Sequence, residues 1–184
     1  MYPVPSRTPR KVRRCIHFAG TSSSTATASP AAQYNCIAAS AQVLLANGTI
    51  VAIETLAAGV VVATSKGSTP VLALHGQRLP LADAKTHVLH FPAGSLGAGL
   101  PDSPLTVTAE HGFQYFATGK WTSFGEVKAL ASAWPKDLLD ADGSVTVYNV
   151  ALDTDDERSI LVAGMQLGSW TRDYPDRASM PVVA

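Results

Sequence analysis

Cysteine is nearly missing from this chain. Only Cys15 and Cys36 occur among its 184 residues, too few for the disulfide framework of a small secreted scaffold. Long apolar runs are missing too. No stretch approaches the roughly 18 residues of a membrane span, so a soluble chain without a membrane partner is expected. Charge is sparse as well, at 15% of residues with a net charge of zero, which leaves no broad basic surface for nucleic acid. Acidic residues are absent from residues 1 to 35, which hold Arg7, Arg10, Lys11, Arg13 and Arg14. The rest of the chain is therefore acidic on balance.

The first 35 residues have the composition of a transit peptide or a disordered arm, with the low-complexity run Thr21 to Pro30 as a linker. No aromatic residues interleave with the arginines to stack on bases, so nucleic-acid binding is not expected of this arm. Cys15 lies in this leader and Cys36 just after it. A bridge between them would close a short loop, and no clear secretion signal is present. Both are expected as free thiols in a reducing compartment, with the cytoplasm favoured.

What the chain has is glycine, proline and short β-branched runs. It holds 14 Gly and 12 Pro, and Val, Ile, Leu and Thr cluster in segments of four to eight, which together favour many short strands joined by turns. The pattern predicts strands near 42–46, 49–53, 59–64, 69–75, 86–91, 104–108, 113–116, 145–152, 158–163 and 165–168, with short helical turns at 53–57, 123–128 and 135–139. Turn signals fall between them, at Asn47-Gly48, Lys66-Gly67-Ser68, Gly97-Ala98-Gly99, Thr118-Gly119-Lys120 and Asp142-Gly143. At this length one domain with tails is expected.

Two segments carry chemistry. The first runs from Cys36 through the Asn47-Gly48 turn to Gly59; the second is Thr108-Ala-Glu-His111. Together they resemble the opening block and the Thr-x-x-His motif of the Hint (hedgehog/intein) domains. The stretch Phe91 to His111 is similar to the middle block of the bacterial Hint-2 branch. Tyr148-Asn-Val-Ala-Leu-Asp153 and Ser159 to Ser169 resemble the family's closing strand pair. The resemblance implies an all-β, horseshoe-shaped fold of many short strands with one or two short helices. It implies a leader at 1–35, a Hint domain at 36–169 and a tail at 170–184, the whole expected as a monomer.

The resemblance also implies a reaction. A planar peptide bond is a poor electrophile, so a thiol displaces its amine only if the bond is activated and the leaving nitrogen protonated. In Hint domains the opening cysteine attacks the bond before it. Here Cys36 would attack the Asn35 carbonyl, and the N-to-S acyl shift would leave a thioester and a free amine. The substrate is the chain's own N-terminal flank, and water or another small nucleophile is the acyl acceptor. The family likeness puts His111 on the scissile nitrogen, with Thr108 and backbone N–H groups orienting the amide and stabilising the oxyanion. Asn149 stands where relatives often have a polar group, a supporting position. No cofactor or metal is implied.

By themselves these residues have plainer uses: a buried cysteine, a structural histidine, a strand threonine. Departures from the pattern narrow the reading. Val60 replaces the acidic residue that usually follows Gly59. Splicing inteins end in His-Asn followed by a nucleophile, whereas this chain has Leu167-Gly168-Ser169 and no asparagine after Asn149, so cleavage without splicing is expected. A degenerate Hint domain serving as a structural or binding module, and a thiol hydrolase acting in trans, are the alternatives. Elsewhere, His87 and His90 would point to opposite faces of a strand and make a poor metal pair. The acidic run Asp153 to Glu157 lacks calcium-loop spacing and reads as a solvated turn.

Overall fold

The computed structural model describes residues 35–115 and 118–172; the leader with Cys15, and residues beyond 172, lie outside them. The fold belongs to the unit Gln33–Ala184. Its strands are β1 (Ile37–Ala38), β2 (Gln42–Leu44), β3 (Ile50–Ala52), β4 (Val61–Thr64), β5 (Gly67–Leu79), β6 (Val88–Phe91), β7 (Leu105–Thr108), β8 (Gly112–Tyr115), β9 (Lys120–Ser123), β10 (Val145–Leu152), β11 (Ser159–Val162) and β12 (Met165–Gly168). One α-helix, α1 (Leu81–His87), and two 3-10 segments, Ile53–Thr55 and Phe124–Leu130, complete the described elements. The all-β class expected from the sequence is what the structure shows.

The strands join antiparallel in the order β6-β7-β1-β10-β5-β4-β11-β12-β8-β9, with β2 and β3 paired beside β11. β5 is the connecting element. Its first residues pair with β4 and its remainder, from Val71 to Leu79, with β10. Between β11 and β12 the chain turns on two residues, Ala163 and Gly164, both at positive φ (48° and 72°). That is the signature of a type I′ hairpin, whose twist matches the flanking strands.

All ten expected strands are present, with four corrections. Thr86 and His87, expected to open a strand, instead end α1. The expected helical turn at 135–139 contains only turns and bends. β1 and β9 were not anticipated: β1 has two residues and thus no periodicity to read, and β9 is largely exposed. α1 escapes detection because it spans barely two turns and buries only Ala84. Asp83 in its first turn and Lys85 and His87 in its last agree with the helix dipole.

Strand alternation divides the side chains between two clusters. The larger contains Ile37, Val107, Val150 and Leu152, with Phe91, Phe113 and Phe124 at 0% exposure. Phe113 and Phe124 stack with ring centroids 4.2 Å apart, and Phe91 leans on Phe124 at 5.1 Å; each such contact contributes roughly 0.5–1.5 kcal/mol beyond burial. The smaller cluster, on the opposite side of the β1–β10 region, contains Cys36, Ala38, Leu79, Ala84, Val88, Val145 and Val147, with Trp134 and Leu138 packed against it. α1 covers this side, and the cysteine belongs to it. Among the described residues no helix is long and apolar enough to cross a membrane.

Candidate active site

Register alone assembles the site. β1 pairs with β7 through Ile37↔Val107 and with β10 through Ile37↔Tyr148 and Ala38↔Val147. Extending both ladders by one residue sets Cys36 between Thr108 and Asn149. β10 in turn pairs Asn149 with His75 of β5. Thr108, Cys36, Asn149 and His75 therefore form one row across four neighbouring strands, and all four are buried. The sequence expectation named the first three; it missed His75, whose only signal was a polar residue directly after the apolar run Val71 to Leu74.

The row holds the Asn35–Cys36 peptide bond at both ends. The amide N–H of Cys36 donates to Thr108 Oγ1 at 2.9 Å, and Thr108 Oγ1 and N–H both donate to the Cys36 carbonyl, at 3.2 and 2.9 Å. On the other side the Asn149 carboxamide Nδ2 donates to the Asn35 carbonyl oxygen. Two details differ from the expectation. Thr108, not His111, accepts from the amide nitrogen. Asn149, expected in a supporting position, touches the carbonyl directly.

His111 sits one turn beyond Thr108. Its N–H donates to the Thr108 carbonyl at 3.0 Å, and the turn is pinned from outside by Ala109 N–H to His87 O, Gly125 N–H to Ala109 O and Phe124 N–H to His111 O. Gly125 permits this approach, since a Cβ there would meet Ala109 O at 3.2 Å. The His111 ring hydrogen-bonds through Nε2 to the Gly168 carbonyl at 3.1 Å. A carbonyl only accepts, so Nε2 carries the hydrogen and Nδ1 keeps its lone pair. Nδ1 is buried without a hydrogen-bond partner.

Burial sets the proton affinities. Desolvation lowers His111 from 6.5 to about 4, although the backbones of Asn35 and Gly168, both close to the ring, pull it back up. A histidine so lowered is neutral at physiological pH. Desolvation, aided by the negative charge of Glu110, pushes the Cys36 thiol up to about 12. At neutral pH only about one molecule in 10⁵ would carry a free thiolate. The sulfur is also covered, at 1% exposure.

A depressed histidine pKa makes stability depend on pH in a defined window. Between about 6.5 and about 4 the unfolded chain binds a proton at His111 that the folded chain does not. Stability is therefore complete above the unfolded value and falls as pH drops towards the folded one, by roughly 3 kcal/mol. Urea unfolding across this window should show a drop in the parent that exceeds the drop in His111→Gln. Parallel curves would show that His111 is not buried in its neutral form.

His87 and His90 are engaged elsewhere. His87 Nδ1 pairs with Glu110 at 2.9 Å and His90 Nδ1 with Thr106 Oγ1 at 2.8 Å. Among the described residues no cluster of three or more His, Cys, Asp or Glu is assembled for a metal. The acidic turn after β10 is not merely solvated: Arg172 pairs with Asp153 at 2.6 Å and with Asp155 at 3.1 Å. Trp170, expected in a loose tail, is 4% exposed, and its backbone bonds to Val150 and Leu152 of β10.

No protein-family model matches the chain, and no curated protein matches it significantly. Among solved structures it is similar to a bacterial intein-like domain from Clostridium thermocellum, at 20% identity and a TM-score of 0.47, the match covering 73% of this chain and 98% of that one. It is also similar to the gp41-1 intein, at 10% identity and a TM-score of 0.45, again over 73% of this chain and 98% of that one.

Proposed function

We propose that this chain is an autoprocessing Hint-type domain that breaks its own Asn35–Cys36 peptide bond by an N-to-S acyl shift. The observation that carries the reading is the grip on that bond: Thr108 on its nitrogen and Asn149 on its carbonyl oxygen, with the thiol of Cys36 attached between them. One peptide bond with a buried side chain on each polar atom, followed directly by a thiol, is arranged for intramolecular attack.

Protonation states dictate the step. Free thiolate is too scarce, so the Cys36 S–H proton leaves as the sulfur attacks the Asn35 carbonyl carbon. His111 Nδ1, neutral and with its lone pair uncommitted, accepts that proton. The new C–S bond closes a five-membered ring, whose oxyanion is stabilised by the Asn149 N–H. The C–N bond then breaks as the imidazolium returns the proton to the Cys36 nitrogen. The products are a thioester from Asn35 to Cys36 and a free α-amine, and water or another nucleophile resolves the thioester. A hydrolase acting in trans finds less support, because the sulfur is covered on the α1 side. Splicing finds none, since the residue before Ser169 is glycine and Gly168 O is held by His111.

Intact mass tests the reading. Incubated protein should give two species that meet between Asn35 and Cys36, faster with hydroxylamine, which attacks thioesters and not ordinary amides. The fragment starting at Cys36 should retain Ser169 and the residues C-terminal to it. A chain that stays whole under these conditions, properly folded, would make it a degenerate module.

A further inference from the structure

One buried titratable group takes no part in this mechanism. His75 is 2% exposed, lies in register opposite Asn149, and leans on the indole of Trp170 with ring centroids 5.3 Å apart. Directly opposed residues of an antiparallel pair have Cβ atoms about 4.5–5.5 Å apart on the same face, within side-chain reach. Asn149 presents a second observation. Its Nδ2 donates to the Asn35 carbonyl, but its buried Oδ1 accepts no hydrogen bond. A carboxamide is nearly symmetric in shape, so with one end uncommitted it can turn its oxygen towards another carbonyl, which would repel it. A catalytic amide needs something that tells its two ends apart.

We propose that His75 is the positioning residue for Asn149: a small rotation of these two facing side chains lets an imidazole N–H of His75 reach the unpartnered Oδ1, and that hydrogen bond keeps Nδ2 aimed at the Asn35 carbonyl. The inference rests on the acyl-shift reading and deepens it. The row across the sheet then has a working order. Thr108 holds the amide nitrogen, Cys36 attacks, Asn149 holds the oxygen, and His75 holds Asn149. Trp170 closes the row from outside. Its backbone bonds to β10 at Val150 and Leu152, on either side of Ala151, and its indole limits the tilt of the His75 ring. The chain just past the closing strand thereby forms part of the support of the site.

His75→Phe keeps a ring against Trp170 and removes both ring nitrogens, whereas His75→Gln restores a donor. In the acyl shift, followed by hydroxylamine release, His75→Phe should be slowed at least tenfold and His75→Gln less. In the Asn149→Ala background His75→Phe should add nothing, because a residue that works only through Asn149 has no effect without it. Equal slowing in both backgrounds overturns the proposal. A second readout needs no cleavage. In full-length Cys36→Ala protein, the Asn149 side-chain NH₂ should be protected from hydrogen exchange by NMR, and His75→Phe should remove the protection. Protection that survives His75→Phe overturns the role of His75. An unprotected NH₂ in Cys36→Ala itself overturns the grip of Asn149 on the carbonyl, and the acyl-shift reading with it.

Discussion

With Cys36 replaced by alanine, the chain should keep its full mass under every condition that cuts the parent. The thioester exists only if this sulfur reaches the Asn35 carbonyl, and no other cysteine occurs among the described residues. The substitution is mild for the fold. It exchanges one small apolar group for another in a cluster of Ala38, Ala84 and valines and leaves the Thr108 bonds, which go to the backbone of residue 36, in place. Loss of cleavage would thus report chemistry rather than unfolding. Cys36→Ser is the finer instrument: a hydroxyl is a weaker nucleophile, so an ester-linked intermediate should form far more slowly than the thioester. Cleavage of Cys36→Ala at the parent rate would place the cut outside this mechanism.

The strand map was legible in the sequence, and Cys36, Thr108 and His111 were singled out as candidates by their likeness to Hint motifs, for one reason: both signals are local. Alternation within a segment reveals a strand, and the Thr-x-x-His spacing lies within one strand end and turn. What went unread is what the sheet assembles across distance. Asn149 and Asn35 are 114 residues apart, and their contact depends on a two-residue strand, β1, that carries no periodicity. The same register makes His75 a neighbour of Asn149, which no spacing in the chain announces. Proton affinity is not legible in the sequence for a related reason. His111 reads as an ordinary imidazole from its neighbours in sequence, whereas its displacement to about 4 is caused mainly by burial, a property of packing. The reversal of the Thr108 and His111 positions belongs here too. Only the register of β1 against β7 decides which of the two meets the amide nitrogen.

Replacing His111 should slow the acyl shift by about 10²- to 10⁴-fold, the usual worth of a positioned acid–base group. The choice of variant matters because the ring is 2% exposed and bonded to Gly168. Alanine would leave a cavity, so His111→Gln, whose amide can still donate to Gly168 O but has no basic nitrogen, separates chemistry from packing. The dependence of rate on pH then distinguishes two mechanisms. If the thiol first ionised freely, with its pKa near 12, the parent rate would climb about tenfold per pH unit through the neutral range. If His111 takes the proton during attack, the rate is nearly level from well above about 4, where the imidazole becomes neutral, up through neutrality. It falls only in acid, as His111 is protonated and loses its lone pair. The His111→Gln variant, left with hydroxide as its base, should recover the steep climb. A parent profile that rises steeply across neutrality, or a variant profile that stays level, would remove His111 from the proton transfer.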